Sequence, residues 1–265
     1  MVRVHDRPCA VPAEQFALES GMAWFFAVAE RDHELQNPTS REKILRLGEV
    51  MRLNSTSRVL DVACGQGGPA LVLARSSGCT IVGVERASEF VQVARKRVEE
   101  AGLSDRIEVS EADARRFPLE PESFDVALCL GATFVWEGLE GTLAALSPAV
   151  RPGGYLAIGE PFWRSWPLDR ATPDEGYTGL SETVERFEAS ELTLVGLIAS
   201  SEDDWDAYES LHWRALEEWL AANSEDPNAA ELRRQHADTR ARYLRFERGL
   251  LAWAIFVGWK RAGDR

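Results

Sequence analysis

The clearest chemical signal in the sequence is a glycine-rich turn between a predicted strand and a predicted helix. The run VLDVACGQGGPA occupies residues 59–70, with glycines at Gly65 and Gly67 and a proline at Pro69. Glycine lets backbone N–H groups approach a ligand closely, and the first turn of a helix attracts a negatively charged group. Proline suits that turn because its missing N–H would have no partner there. The pattern predicts a nucleotide-type ligand.

Acidic residues after the neighbouring strands narrow the choice of ligand. Glu85 lies twenty residues after Gly65, where a dinucleotide-binding protein has the acid that holds the ribose hydroxyls. Because NAD and S-adenosylmethionine (SAM) both contain a ribose, this spacing leaves two cofactors open. Asp61 suits a ligand with an ammonium group and would repel a pyrophosphate, and Asp113 is placed to accept a hydrogen bond from an adenine amino group. The acids around the turn favour SAM over NAD.

Apolar β-branched runs alternate with helical patterns along most of the chain, which is typical of a doubly wound parallel sheet. Strands are predicted at residues 58–62, 80–84, 107–109, 124–130, 155–159, 192–199 and 252–260. Helices are predicted at residues 14–30, 68–75, 88–101 and 139–150, and a further helix is opened by a capping box at residues 39–42 and continues through residue 51. Residues 202–249 have a helical pattern with a break at residues 223–228, and they form an insertion between the last two strands.

Five short motifs follow one another at the spacing of a known family. They are VLDVACGQG at residues 59–67, GVE at 83–85, ADA at 112–114, FDVA at 124–127 and RPGG at 151–154. With these motifs the sequence resembles the class I SAM-dependent methyltransferases. Three further segments are similar to a bacterial subgroup of small-molecule methyltransferases without an assigned substrate. These are GAT at residues 131–133, GEPFW at 159–163 and WDAYE at 205–209.

The resemblance implies a Rossmann-like methyltransferase fold. This is an α/β architecture with a doubly wound, mostly parallel seven-stranded sheet, N-terminal helices and a helical insertion before the last strand. We therefore expect an N-terminal helical cap at residues 1–55 and a SAM-binding α/β core at residues 56–200. A helical insertion acting as a lid is expected at residues 201–249, and the final strand of the core sheet at residues 250–265.

The resemblance also implies SAM as the cofactor, S-adenosyl-L-homocysteine (SAH) as the product, and a set of cofactor-binding residues. These are Asp61, Ala63, Gly65 and Gly67 for the methionine part, Glu85 for the ribose, Asp113 and Ala114 for the adenine, and Leu130 at the wall of the site. Ala63 stands where many relatives have glycine. Two other functions use the same turn: an NAD-dependent oxidoreductase, and a protein that binds SAM without catalysis.

The segment after the fourth predicted strand indicates the kind of methyl acceptor. Its sequence, LGATFVW at residues 130–136, lacks the Asn/Asp-Pro-Pro-aromatic motif and the Pro-Cys nucleophile found in relatives that modify nucleic acids. It also lacks the acids of metal-dependent relatives, so no metal ion is predicted. Acidic residues outnumber basic ones by 43 to 30, giving a net charge of −13, which disfavours nucleic acid and an anionic membrane surface as partners. A small-molecule acceptor is predicted.

Methyl transfer from a sulfonium is an in-line displacement with an activated leaving group, so positioning and exclusion of water supply most of the rate. Glu160, at the end of the fifth predicted strand, is the candidate general base. Its alternative role is to pair with Arg164 or to cap a turn. Aromatic residues in segments expected near the cofactor are candidates for the substrate pocket. Those selected are Trp136, Trp163 and Tyr208.

The cysteines and the N-terminal segment bear on the compartment. The four cysteines are widely spaced without a C-x-x-C pair, which argues against a zinc site and against a secreted disulfide scaffold. Charges interrupt the first sixteen residues, so no signal peptide is predicted. A cytoplasmic protein is expected, and the sequence does not indicate an oligomeric state.

Overall fold

The computed structural model describes residues 23–165 and 176–262, and its centre is a seven-stranded sheet. The strands are β1 (Arg58–Val62), β2 (Thr80–Glu85), β3 (Ile107–Glu111), β4 (Phe124–Leu130), β5 (Val150–Trp163), β6 (Leu192–Ala199) and β7 (Leu251–Lys260). Their order is β3-β2-β1-β4-β5-β7-β6. β7 runs antiparallel to both β5 and β6, and the other pairs are parallel. The predicted mostly parallel sheet with an insertion before its last strand is confirmed.

Helices cover both faces of the sheet and form the insertion. They are α1 (Ala23–Ala29), α2 (Arg41–Val50), α3 (Gly68–Ser77), α4 (Ser88–Glu100), α5 (Leu139–Leu146), α6 (Leu180–Glu188), α7 (Glu202–Ala222) and α8 (Ala229–Arg242). A π-helical turn (Tyr243–Glu247) and a short α-helical turn (Arg248–Leu250) then lead into β7. Within the described residues, no helix has both the length and the apolar character needed to cross a bilayer.

The strand order places a ligand site at one end of β1. From β1 the chain continues through β2 and β3 on one side of the sheet and returns to β4 on the other. Loops that leave β1 and β4 in opposite directions open a crevice at the carboxyl ends of these strands, where ligands bind in open α/β sheets. The glycine turn that follows β1 lies at this crevice.

Two apolar layers on opposite faces of the sheet hold these strands rigid. Along β1, Val59 belongs to one buried cluster, and Leu60 and Val62 belong to the other, as the two-residue period of a strand requires. Asp61 is the polar exception in this buried strand. A third, smaller cluster packs Ala29 at the end of α1 against Leu216 of α7 and other apolar residues of the insertion. The insertion therefore has its own apolar contact with the N-terminal helix.

Several element boundaries differ from the predictions, each for a local reason. The predicted capping box at residues 39–42 is wrong by one position, because Ser40 is the N-cap of α2 and accepts from the N–H of Lys43. The helix predicted to reach residue 150 ends at Leu146, and a 3-10 turn containing Pro148 follows. Helix α6 was not predicted, although its Thr183 and Phe187 are spaced to face the core.

The N-terminal and insertion helices were predicted more closely. Of the helix predicted at residues 14–30, the part before residue 23 lies outside the described residues, and the rest is α1. The insertion consists of α7 and α8 with the predicted break between them. Charges from its two halves meet, because Arg248 forms ion pairs with Asp206 at 2.9 Å and with Glu202 at 3.1 Å.

Candidate active site

A cavity of about 440 Å³ opens at the carboxyl ends of the central strands. Seven of the eight predicted cofactor-binding residues line this cavity. They are Asp61, Ala63, Gly65, Glu85, Asp113, Ala114 and Leu130. The eighth, Gly67, lies in the same turn as the N-cap of α3. Residues from four different strand ends therefore converge on one space large enough for a nucleoside ligand.

The glycine turn adopts a backbone conformation that side chains disfavour. Gly65 has a φ of +53° and Gly67 a φ of +76°, both in the left-handed region that glycine occupies without strain. Ala63 also has a positive φ, +51°, which strains a residue that carries a Cβ. Strain of this kind persists where the surrounding structure imposes it, and it is concentrated at ligand sites. The conformation of Ala63 explains why glycine suits its position.

Asp61 brings an unsatisfied carboxylate to the cavity. Its side chain is only 2% exposed, and its Oδ2 atom finds no hydrogen-bond partner among the described residues. Burial, with a smaller contribution from the charge of Glu85, raises the pKa of the Asp61 carboxyl to about 7. A buried carboxyl of this kind gains a partner when a ligand places an ammonium group beside it. This orphaned oxygen fits the amino-acid end of SAM.

Backbone N–H groups hold Glu85 at the end of β2. Its Oε2 accepts from the N–H of Gly65 at 3.0 Å, and its Oε1 accepts from the N–H groups of Arg86 and Ala87 at 2.7 and 2.8 Å. The carboxylate is therefore oriented before any ligand binds. Each oxygen retains a second lone pair that can accept from a hydroxyl group. This fits the role predicted for Glu85 at a ribose.

The segment at residues 34–37 lies directly over the glycine turn, which the sequence did not reveal. The Oε1 atom of Gln36 accepts from the N–H of Gln66 at 2.6 Å, and the Nδ2 group of Asn37 donates to the carbonyl of Leu130 at 3.1 Å. Gln36 and Asn37 both line the cavity. The N-terminal segment thus covers the two loops that leave β1 and β4.

Three glycines make this close approach possible. A Cβ built on Gly65 would lie 2.1 Å from Gln36 Oε1, and one on Gly131 would lie 2.1 Å from Asn37 Oδ1. A Cβ on Gly68 would lie 1.9 Å from the backbone oxygen of Glu34. In the sequence these glycines are a signal for close backbone contact, although they do not identify the segment that makes it.

Glu160 is buried next to the turn that follows β4. It is 7% exposed, and its Oε2 accepts from the hydroxyl of Thr133 at 2.7 Å. Burial raises the pKa of the Glu160 carboxyl to about 7, although the Thr133 hydrogen bond acts in the opposite direction. The preceding residue, Ala132, lines the cavity. Glu160 itself does not line the cavity. Its carboxylate is hydrogen-bonded to Thr133, and the neighbour of Thr133 in the chain, Ala132, is part of the cavity wall.

Phenylalanines contribute to the apolar part of the wall, whereas the predicted aromatic residues are not among the described residues that line the cavity. Phe26 and Phe134 line the cavity, and Phe134 is 48% exposed. Trp136 is half-buried and packs against the core, and Trp163 is buried beside Tyr177. Tyr208 donates its hydroxyl to Glu30 outside the cavity wall. Sequence reasoning did not select Phe26 or Phe134, and no spacing signal distinguishes them from core residues.

Comparison with known proteins gives consistent results. A methyltransferase-domain family matches residues 59–154. The uncharacterized protein YjhP of Escherichia coli is 32% identical over 239 residues, which cover 88% of this chain and 96% of YjhP. A crystal structure described as a SAM-dependent methyltransferase from Thiobacillus denitrificans in complex with SAH has a TM-score of 0.83 at 32% identity, over 89% of this chain and 98% of that one.

A second crystal structure, also described as a SAM-dependent methyltransferase in complex with SAH, comes from Geobacter sulfurreducens. It has a TM-score of 0.84 at 32% identity, and the match covers 90% of this chain and 98% of that one. Because only about a tenth of this chain is unmatched in each case, both matches extend well beyond the glycine turn. The likeness therefore covers nearly the whole architecture described above.

Proposed function

This chain belongs to the class I SAM-dependent methyltransferases, and we propose that it transfers the methyl group of SAM to a small-molecule acceptor. SAM is the cofactor and SAH the product. The cavity at the strand ends carries the proposal, because its volume is in the range of small-molecule sites and residues 34–37 partly cover it. The acidic net charge of −13 favours a compact acceptor over a nucleic acid.

We infer that the predicted residues divide the cofactor between them. Asp61 binds the ammonium group, and the turn at Ala63, Gly65 and Gly67 binds the rest of the methionine part. Glu85 accepts from the ribose hydroxyls, and the segment that contains Asp113 and Ala114 contacts the adenine, with Leu130 at the wall. The orphaned oxygen of Asp61 and the prearranged carboxylate of Glu85 support this assignment. When bound, SAM supplies an electrophilic methyl group.

The apolar wall indicates the class of acceptor. Phe26, Phe134 and Val135 line the cavity beside the polar residues of the cofactor site. A ligand that contacts these side chains gains by covering apolar surface, and the exposed Phe134 gains most. An acceptor with an apolar or aromatic body fits this wall. Trp136, Trp163 and Tyr208, which were predicted to form the pocket, are not among the described residues that line the cavity.

The protein's own contribution to the reaction is positioning, exclusion of water and, for an acceptor that carries a proton, its removal. Glu160 is the base that we propose. Its pKa is raised to about 7, so near neutral pH a large fraction of the carboxyl is ionised and this carboxylate is still basic enough to accept a proton. Thr133 holds the carboxylate, and a movement of the turn at Ala132 would bring it to the cavity. The alternative is that Glu160 only orders this turn through Thr133.

The helical parts at either side of the core are proposed to close the site. The proposed division is a cap at residues 1–55, a lid at residues 201–249, the α/β core at residues 56–200 and the final strand at residues 250–265, and it concerns only the parts of these ranges that the structure describes. Support comes from the contacts of Gln36 and Asn37 with the loops after β1 and β4. A cytoplasmic location is also proposed, because Cys64, Cys79 and Cys129 are buried free thiols of the kind that a reducing compartment maintains.

The test is an acceptor screen with methyl-labelled SAM. The purified protein is incubated with a mixed metabolite pool, and separately with DNA, RNA and bulk protein, and SAH and labelled products are measured by mass spectrometry. We expect SAH together with a labelled small molecule in the metabolite arm, and neither with the Asp61→Asn variant. Labelling of a macromolecule instead would contradict the proposed acceptor class. SAM binding without SAH in any arm would favour the non-catalytic alternative.

A further inference from the structure

A buried polar cluster lies between the N-terminal helix and the insertion, outside the cavity wall. It consists of Glu30, His33, Tyr208 and His212, and is called the Glu30 cluster below. Glu30 directly follows α1, and Tyr208 and His212 are on α7. The Oε1 atom of Glu30 accepts from the Tyr208 hydroxyl at 2.9 Å and lies 2.8 Å from Nε2 of His212. The reaction proposed above uses none of these residues.

Two hydrogen-bond acceptors of the Glu30 cluster, Nδ1 of His33 and Oε2 of Glu30, face each other with no donor between them. Nε2 of His33 lies 3.0 Å from the backbone oxygen of Tyr208, which can only accept, so the proton of a neutral ring is on Nε2. Nδ1 of His33 then presents a lone pair to Oε2 of Glu30 at 3.3 Å. Neither atom has a hydrogen-bond partner among the described residues, and Glu30 and His33 are only 4% and 1% exposed.

Burial and neighbouring charges act on the two histidine rings in different directions. Burial lowers the pKa of His33 and outweighs the Glu30 carboxylate, which acts to raise it, and the His212 ring, at a centroid distance of 4.5 Å, acts in the same direction as burial. The carboxylates of Glu30 and Glu209 outweigh burial at His212 and raise its pKa. A positive ion between Nδ1 and Oε2 would satisfy both orphaned atoms.

We propose that Glu30, His33 and His212 bind a divalent transition-metal ion with the ligand preference of zinc. Each offers one ligand atom, and the three atoms lie within 4.8 Å of one another. Nε2 of His212 lies 2.8 Å from Glu30 Oε1 and Nδ1 of His33 lies 3.3 Å from Glu30 Oε2, so nitrogens of both rings approach the same carboxylate. Imidazole and carboxylate suit this ion.

The outer contacts also fit a metal centre. The Nε2–H of His33 is held by a backbone carbonyl, the usual second contact of a metal-bound histidine. Nδ1 of His212 faces Glu209 at 4.0 Å. When the ion binds, Nε2 of His212 releases its proton to solvent and donates its lone pair to the metal. The Tyr208 hydroxyl donates to Glu30 Oε1 at 2.9 Å and so helps to orient this carboxylate.

The site would act as a structural clasp. It joins the segment after α1 to α7, and the backbone oxygen of Glu30 accepts from the side chain of Gln66 in the glycine turn at 2.8 Å. The ion would therefore hold the N-terminal segment against both the insertion and the cofactor turn. The sequence predicted no metal from the segment after the fourth strand and from the spacing of the cysteines. His212 lies far along the chain from Glu30 and His33, so no local pattern joins the three residues. The inference does not depend on the identity of the acceptor.

The experiment measures metal binding directly. Protein stripped with a chelator is dialysed against Zn²⁺, and bound zinc is measured by mass spectrometry. Cobalt(II) absorption then reports the coordination geometry. We expect one zinc per chain, a higher melting temperature, and visible bands of four-coordinate cobalt. Glu30→Gln, His33→Gln and His212→Gln are each expected to weaken zinc binding by about 100-fold, because each removes one of three protein ligands.

His236→Gln is the matched control. His236 is also a buried histidine of the insertion, but it faces Glu217 instead of the Glu30 cluster. Its zinc binding and cobalt spectrum should remain those of the wild type, and SAH binding should show that every variant is folded. Substoichiometric zinc on the wild type overturns the proposal even if no variant folds. An equal loss in His236→Gln, or full binding in His33→Gln and His212→Gln, overturns it as well.

Discussion

The amide oxygen of Gln36 accepts a hydrogen bond from the backbone N–H of Gln66 at 2.6 Å. This contact joins a segment before the sheet to the glycine turn that follows β1. Because Gln36 also lines the cavity, the N-terminal segment is part of the wall that a bound cofactor would contact. Cofactor binding and the position of this segment should therefore depend on each other.

The first prediction tests this dependence with Gly68→Ala. The added Cβ would lie 1.9 Å from the backbone oxygen of Glu34, so residues 34–37 must move. We expect a loss of unfolding free energy of about 1–3 kcal/mol, as for other overpacked sites, together with weaker SAH binding. Urea denaturation and calorimetric titration measure the two effects. Gly249→Ala, which has open space around its Cβ, is the control: it should leave SAH binding unchanged and should not lower the unfolding free energy, because alanine fits a helical position better than glycine.

The second prediction concerns Asp61. Asp61→Asn removes the charge that we assign to the ammonium group of the cofactor while it keeps the shape of the side chain. Because a hydrogen bond to a charged group contributes about 1.5–3 kcal/mol, SAH affinity should fall by about 10- to 150-fold. The variant should remain folded by circular dichroism. Wild-type affinity in a folded Asp61→Asn protein would remove Asp61 from the site.

The third prediction is the pH dependence of that affinity. The pKa of Asp61 is about 7 in the free protein, and an ammonium group beside it must lower that value in the complex. Between the two pKa values, binding ionises the carboxyl, so SAH affinity should rise with pH and level off above about pH 7. Titration calorimetry in buffers of different ionisation enthalpy would detect the released proton. Asp61→Asn should lose this dependence.

The fourth prediction separates two roles of Glu160. If it is the base, Glu160→Gln should lower kcat by about 100-fold or more with an unchanged SAH affinity. The wild-type rate should decrease below about pH 7, where the carboxyl is protonated, and the pH–rate profile of the variant should lack this acidic limb. Thr133→Val, which removes only the hydroxyl that holds the carboxylate, should shift the limb to higher pH. Parallel loss of kcat and SAH affinity would show that Glu160 only orders the turn.

Most residues of the predicted cofactor site could be identified from the sequence, because the site is built from local features. A glycine turn after an apolar strand and single acids at the ends of neighbouring strands follow from short-range patterns. In a parallel sheet all these strand ends share one edge. Asp61, Glu85 and Asp113 therefore came together at the cavity as expected. The strand order likewise agrees with the architecture that the motifs implied.

The contacts above the cavity were decided by packing between distant segments. Gln36 and Asn37 reach the turns after β1 and β4 because Gly65, Gly68 and Gly131 leave room for them, and no short pattern in the sequence connects these positions. The same holds for the apolar wall, where Phe134 lines the cavity while Trp163 is buried beside Tyr177.

By itself, the sequence determined the sheet, the glycine turn and the acids that line the cavity, because hydrophobic period and turn chemistry act over a few residues. Only the tertiary structure decided that Glu30 and His33 meet His212, and that the N-terminal segment covers the site. Side chains from remote helices become neighbours only when the apolar faces of α1 and the insertion pack together. Which faces pack together depends on the shape of the whole core.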